Sequence, residues 1–356
     1  MSCGEDVDEV AVFRRAKALR LDSILSNLGM LRRLRHQYNR SQDNLPVKLE
    51  VRPSLPGSPY RVDGSRFYAV LIGIDEYASY QLHGCVSDVR LMEQYLTEDL
   101  CVPLNRIQLL LGSKEHTSPG DSMNPSRANL IGALLSIIAN PEILYGDNIV
   151  IFYSGHGSCY PFEGEGDAIE YIEALCPIDR DTIDGDGKRV PDISDREFNT
   201  ILAQIAQVKG HCITVILDCC HSGSVSRGLP EPEARTSSPT RWAMPQDMLL
   251  AGDKKLRGSP GYRSILSKDW YPDMNSHVIL AACKDYQFAK ATMVKGEDGT
   301  EGYIGIFTDS LVRALRSGYC TRETTYVDLV HSLDQTSHQT PVVAGKRRDA
   351  RVWYQE

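Results

Sequence analysis

Two apolar strands, each breaking off at a reactive side chain, constrain this chain more than any other feature. The first, His211-Cys212-Ile213-Thr214-Val215-Ile216-Leu217, runs into Asp218-Cys219-Cys220-His221-Ser222-Gly223. The second, Asn148-Ile149-Val150-Ile151-Phe152-Tyr153, opens into Ser154-Gly155-His156-Gly157. Neither run alternates apolar with polar residues. Each therefore predicts a central parallel strand covered on both faces, and such sheets hold ligands at the carboxyl ends of their strands. Neighbouring strands of this kind bring the His156 imidazole and the Cys220 thiol to one edge. A thiol of ordinary pKa, ~8.5, is only a few per cent ionised at neutral pH, so nucleophilic cysteine chemistry requires a base or cation beside it. Gly155 and Gly157 let the backbone bend closely around the imidazole, and the amides of Gly157 and Cys220 are placed to face a developing oxyanion.

The rest of the chain supplies the frame for these tips. Strand 67–74 leads to helix 85–97, strand 107–111 to helix 126–138, and strand 148–153 through an insertion to helix 195–207, before strand 212–217 ends at the thiol. This alternation predicts an α/β fold with a largely parallel sheet and helices on both faces. After Gly223 the pattern dissolves into a proline-containing stretch, 224–276, that reads as a long functional or unstructured loop. Strand 277–282, helices 306–316 and 325–334 and a short strand near 341–344 complete a smaller carboxyl portion.

With these residues in place the chain resembles the caspase-like cysteine peptidases, and specifically their metacaspase branch, with a fungal-like cast. The resemblance rests on Tyr153-Ser154-Gly155-His156-Gly157 and Asp218-Cys219-Cys220-His221-Ser222-Gly223, on Phe67 to Ile74 and Leu82 to Asp88 before them, and on Ala282 to Gln287 and Gly305-Ile306-Phe307-Thr308 after them. It implies a caspase-hemoglobinase fold, a mostly parallel six-stranded sheet sandwiched by helices, in a peptidase domain over 66–356. Within that domain 66–223 corresponds to a large-subunit part, 224–276 to the junction loop and 277–356 to a small-subunit part. It further implies a His156–Cys220 dyad and an acyl-enzyme, hence an intracellular cysteine endopeptidase. The alternative is a catalytically weak caspase-like module acting as a regulatory or binding partner. The pathway it implies is stress response, cell death or protein quality control.

Specificity follows from two acids. Residues two apart on a strand point to the same side, so Asp218 lies beside Cys220. Asp88 matches the acid that metacaspases place in the same pocket, with helix capping as its plainer role, and Ser154 is assigned to that pocket with them. Two carboxylates suit Arg or Lys at the cleavage position and reject an acidic side chain. Arg227, Arg235, Arg241, Lys254, Lys255, Arg257, Arg263 and Lys268 in the junction loop are then candidate self-cleavage sites. Arg257 before Gly258 and the pair Lys254-Lys255 are the most attractive, because none is followed directly by proline.

For calcium the resemblance weakens. Where calcium-dependent members carry an Asp-Asp pair this chain has Ser194-Asp195, Glu173 is the nearest upstream acid, and Arg227 occupies the downstream neighbourhood. The expectation is no obligatory cofactor, with Asp195 and Glu173 as weak calcium candidates. Asp179, Asp181, Asp184 and Asp186 lack the distal Glu of an EF-hand loop and read as a solvated turn. Lys290 stands where metacaspases often have an acid. No Cys-x-x-Cys pair occurs among the ten cysteines, so zinc is not expected.

A composition of 42% hydrophobic and 24% charged residues is that of an ordinary globular protein, and a net charge of −8 argues against general nucleic-acid affinity. The longest apolar run, Leu130 to Ala139, is about half a membrane span. The acidic, non-apolar start and the irregular cysteine spacing predict a reducing, cytoplasmic setting, with the nucleus as the alternative. Residues 1–44 form a basic extension in which Leu19, Ile24, Leu28 and Leu31 recur near helical spacing. This predicts an amphipathic helix that either packs on the body or docks to a partner or membrane surface. A linker, 45–65, joins it to the peptidase domain.

Overall fold

The computed structural model describes residues 62–355 apart from 117, 119, 164–168, 221–233, 240–243, 260–261, 285–286, 296–300, 319 and 337–338. The basic extension, nearly all of the 45–65 linker, His221 and Arg227 lie outside the described residues.

The strands form as the apolar runs predict. β1 (Phe67–Ile74), β2 (Ile107–Gly112), β3 (Asn148–Ser154), β7 (Ile213–Asp218), β8 (Val278–Ala281) and β11 (Val342–Ala344) make one six-stranded sheet in the order β11-β8-β7-β3-β1-β2. Only β11 runs antiparallel to its neighbour, and β9 (Ala291–Lys295) and β10 (Glu301–Gly305) pair antiparallel with each other outside this sheet. The missing alternation has a direct cause, because successive residues bury on opposite faces of the sheet. In β1, Val70, Ile72 and Ile74 enter one core while Phe67, Ala69 and Leu71 enter the other. The helices α2 (Arg127–Ala139) and α3 (Asp195–Lys209) cover the first face. α1 (Cys85–Gln94), α5 (Ile306–Arg316) and α6 (Tyr326–Ser332) cover the second. Among the described residues no helix is long and apolar enough to cross a membrane.

The chain order places the cleft. It goes from β1 outward to β2, then returns to set β3 on the other side of β1, and this reversal opens a crevice at the carboxyl ends of β1 and β3. Register brings the tips together there: Ser154 pairs with Gly73 on one side and with Asp218 on the other.

Two elements differ from expectation. The insertion after β3 contains a hairpin, β4 (Gly157–Glu163) with β5 (Ile169–Leu175), extended by the short β6 (Ile193–Ser194) into a second small sheet. Within the stretch read as a loop lies α4, Pro245–Leu256. Pro245 starts this helix, where its missing N–H costs nothing. Met248 and Leu249 pack with Tyr160, Ile172 and Ile265 in a satellite core.

Candidate active site

His156 follows β3 and is held by two tyrosines. Its backbone N–H donates to the Tyr77 hydroxyl at 2.9 Å, and its carbonyl accepts from the Tyr153 hydroxyl at 2.7 Å. The Tyr77 ring lies 4.5 Å from the imidazole, centroid to centroid. Nε2 sits 2.6 Å from the Tyr80 carbonyl oxygen. A carbonyl only accepts, so Nε2 carries the proton and the buried, unpartnered Nδ1 keeps its lone pair. Burial lowers the imidazole pKa to about 4; the Tyr80 contact opposes that shift, and Arg180 and Arg235 add to it. The ring is thus neutral at physiological pH and able to take a proton at Nδ1. Tyr80 holds its carbonyl inward through a left-handed backbone, φ 59°, while its side chain faces solvent.

Cys220 follows β7 and is fully buried. Its Sγ accepts from the Ala289 amide at 2.8 Å. Cys219, beside it, packs into the opposite core. Its thiol pKa is pushed up by burial, with Cys220 and Asp218 adding to the effect.

The carboxylates converge on a residue of the chain itself. The Arg235 guanidinium, wholly buried, lies 2.8 Å from Asp88 Oδ2 and 2.9 Å from Asp218 Oδ2. It also donates to Ser154 Oγ at 2.9 Å, and that hydroxyl donates to Asp88 Oδ2 at 2.8 Å. Thr308 Oγ1 donates to Asp218 at 2.6 Å, and the Gly305 amide to Asp88 at 2.7 Å. A side chain at Gly305 would collide with Asp218, Arg235 and Asp88. Burial pushes the Asp88 carboxyl up, Asp218's charge adds to that, and Arg235 pulls it back.

The backbone around Arg235 is extended and bound on both sides. Ala234 bridges Lys290, and the Arg235 amide donates to the Ala289 carbonyl at 3.1 Å. Beyond it Thr236 bridges Gly157, and the Ser237 amide donates to the Gly157 carbonyl at 2.9 Å. The Arg235 carbonyl oxygen accepts from the amides of Gly157 at 3.2 Å and Cys220 at 3.1 Å. Ala289 touches both Cys220 Sγ and the Arg235 amide, so the thiol lies against this strand.

Residues 68–227 match the family model of the metacaspase peptidase C14 domain. Over that stretch the chain is similar to the metacaspase peptidases. Metacaspase-3 of Arabidopsis thaliana is 33% identical over 159 residues, 44% of this chain and 40% of that protein. Metacaspase-1A of Aspergillus oryzae is 30% identical over 200 residues, 53% and 44% of the two chains. The chain thus spans less than half the length of these metacaspases. A Geobacter sulfurreducens protein of known structure superposes with a TM-score of 0.51 at 20% identity, over 82% of this chain and 97% of its own; that likeness is one of fold alone. The mostly parallel six-stranded sheet between helical layers is the caspase-like architecture that the metacaspase resemblance implies.

The other residues singled out in the sequence fall as follows. Ala174 pairs with Ser194, so Glu173 and Asp195 lie one step further along adjacent chains. Burial raises the Asp195 pKa to about 7, against the pull of Arg196. Two carboxylates supply fewer oxygens than the roughly six to eight that calcium takes. Asp184 accepts from the amides of Asp186 and Lys188 in an exposed turn, and Asp179 accepts from the Arg127 amide. Lys254 and Lys255 lie in the last turn of α4, and Arg257 caps that helix while pairing with Asp253 at 2.6 Å. The three sites that the sequence favours for self-cleavage thus lie at the end of a helix, whereas Arg235 lies in backbone bridged on both sides as a strand.

Proposed function

We propose that this chain is a cysteine endopeptidase that cleaves after Arg or Lys, with Cys220 as nucleophile and His156 as base, and that its first substrate is its own Arg235–Thr236 bond. One observation carries the reading: Arg235 is ion-paired to Asp88 and Asp218 while its carbonyl rests on the amides of Gly157 and Cys220. That is how a substrate with a basic residue at the cleavage position engages a specificity pocket and an oxyanion hole.

The steps use groups of this chain and one water. His156 Nδ1 takes the thiol proton, and Cys220 Sγ attacks the carbonyl carbon of Arg235. Charge developing on that oxygen is held by the two amides. The imidazolium returns its proton to the departing Thr236 nitrogen, leaving a thioester between Cys220 and Arg235, which water then hydrolyses with His156 again as base. Tyr80, whose carbonyl fixes the tautomer and ring orientation, completes the arrangement as a positioning residue. Calcium, in this reading, is not obligatory.

Short reporter peptides ending in Arg, Lys, Gln or Asp test the assignment on the full chain. Arg and Lys are expected to be cut, and Arg over Gln by about two powers of ten or more, from charged hydrogen bonds worth ~1.5–3 kcal/mol each. Equal rates on Gln and Arg, or preference for Asp, would overturn it.

A further inference from the structure

The residues after Arg235 meet a second guanidinium. Arg180 Nη1 donates to the Ser237 hydroxyl, and Nη2 donates to the Ser238 carbonyl at 3.2 Å. Arg180 is itself oriented by Asp192, with Nε 3.0 Å from Oδ1 and Nη2 2.8 Å from Oδ2. Asp192 is fully buried and is also held by the Tyr160 hydroxyl at 2.6 Å and by the Cys176 thiol. A bidentate pair of this kind fixes the plane of the guanidinium, so its remaining donors point in set directions. They point at the segment beyond the cut.

We propose that Arg180 determines specificity on the leaving-group side, gripping the second residue after the cleaved bond by a side-chain oxygen and the third by its carbonyl. The inference rests on the peptidase reading above, with Thr236, Ser237 and Ser238 as the first three residues after the cut. A hydroxyl or carboxylate at the second position accepts from Nη1, an alanine leaves that donor without a protein partner, and a lysine sets a like charge against it. The same contact serves catalysis by steadying the strand that carries the departing nitrogen.

The test uses the full chain, as wild type and Arg180→Gln. Internally quenched peptides built on Pro-Glu-Ala-Arg-Thr-Ser-Ser carry Ser, Ala or Lys at the second position after Arg, alongside a short reporter that ends at Arg and never reaches Arg180. Wild type is expected to favour Ser over Ala by about fivefold to tenfold in kcat/KM, and Ala over Lys by a similar factor, from one charge-assisted hydrogen bond at a partly solvated site. Arg180→Gln should erase the ranking, each peptide's rate being read relative to the short reporter of the same variant. A structural role alone would lower every substrate equally and keep the ranking. Equal rates on the three peptides with wild type, or an unchanged ranking in Arg180→Gln, would overturn the inference while leaving the short-reporter activity as independent support for the peptidase. A wild-type chain that cuts no Arg reporter overturns both.

Discussion

Replacing Arg235 by alanine separates a substrate-like role from a structural one. The wild-type side chain makes two close ion pairs, at 2.8 Å to Asp88 and 2.9 Å to Asp218, and a hydrogen bond to Ser154. Each charged contact contributes ~1.5–3 kcal/mol to holding the scissile segment, so losing both slows cleavage of the Arg235–Thr236 bond by roughly two to four powers of ten. The two acids do not stay as they were. Without the guanidinium that pulls it down, the Asp88 carboxyl rises further. The emptied pocket should then admit Arg peptides in trans. Arg235→Lys retains a cation without the planar fork and is expected to cut itself more slowly than wild type but well above the alanine form. A gel time course with amino-terminal sequencing reads this: wild type yields a fragment beginning Thr236-Ser237-Ser238, and Arg235→Ala does not. A fragment with that start from Arg235→Ala, or wild-type fragments that begin only after Lys254, Lys255 or Arg257, would refute the reasoning.

Other outcomes follow from the same geometry. Asp218→Ala and Asp88→Ala should each raise KM for Arg reporters, since each acid pairs with the guanidinium; unchanged KM in steady-state assays would remove both acids from the pocket. Because burial holds His156 at about 4 while Arg235 is seated, self-cleavage should keep its base as pH falls through 6.5 and lose it only on approach to 4; an acid limb at 6.5 in the rate of fragment formation would mean a solvated ring. Self-cleavage in chelator and in millimolar calcium should differ by no more than a few-fold, since Asp195 and Glu173 offer an incomplete oxygen set; a large, saturable rise would assign those acids to a calcium site.

How much of this could be read in the sequence depended on which interactions leave a pattern. The sheet was legible because burial on both faces demands unbroken apolar runs, as in Ile149 to Tyr153 and Ile213 to Leu217. His156, Cys220, Asp88, Asp218 and Ser154 were legible as residue types at strand and helix ends, and the structure gathers all five around one strand of the chain. Helix α4 was hidden by the prolines around it: Pro245 opens the helix, while Pro239 before it and Pro260 after it read as breakers. Arg235 was one of eight basic residues in a polar stretch, and nothing local distinguishes it, because its role comes from burial between acids far apart in the chain. Tyr80 contributes a backbone carbonyl, for which no side-chain signature exists. The close approach of Gly305 to the carboxylates likewise emerges only when α1, β7 and α5 meet.

The most direct test of the account is covalent labelling. Arg235→Ala protein, whose pocket is emptied without self-cleavage, treated with an arginyl chloromethyl ketone, digested and read by mass spectrometry, should carry the adduct on Cys220, with no labelling when Cys220→Ala or His156→Ala is added and substantial labelling when Cys219→Ala is added. An adduct on Cys219 or Cys283 instead, or labelling that persists without His156, would contradict it.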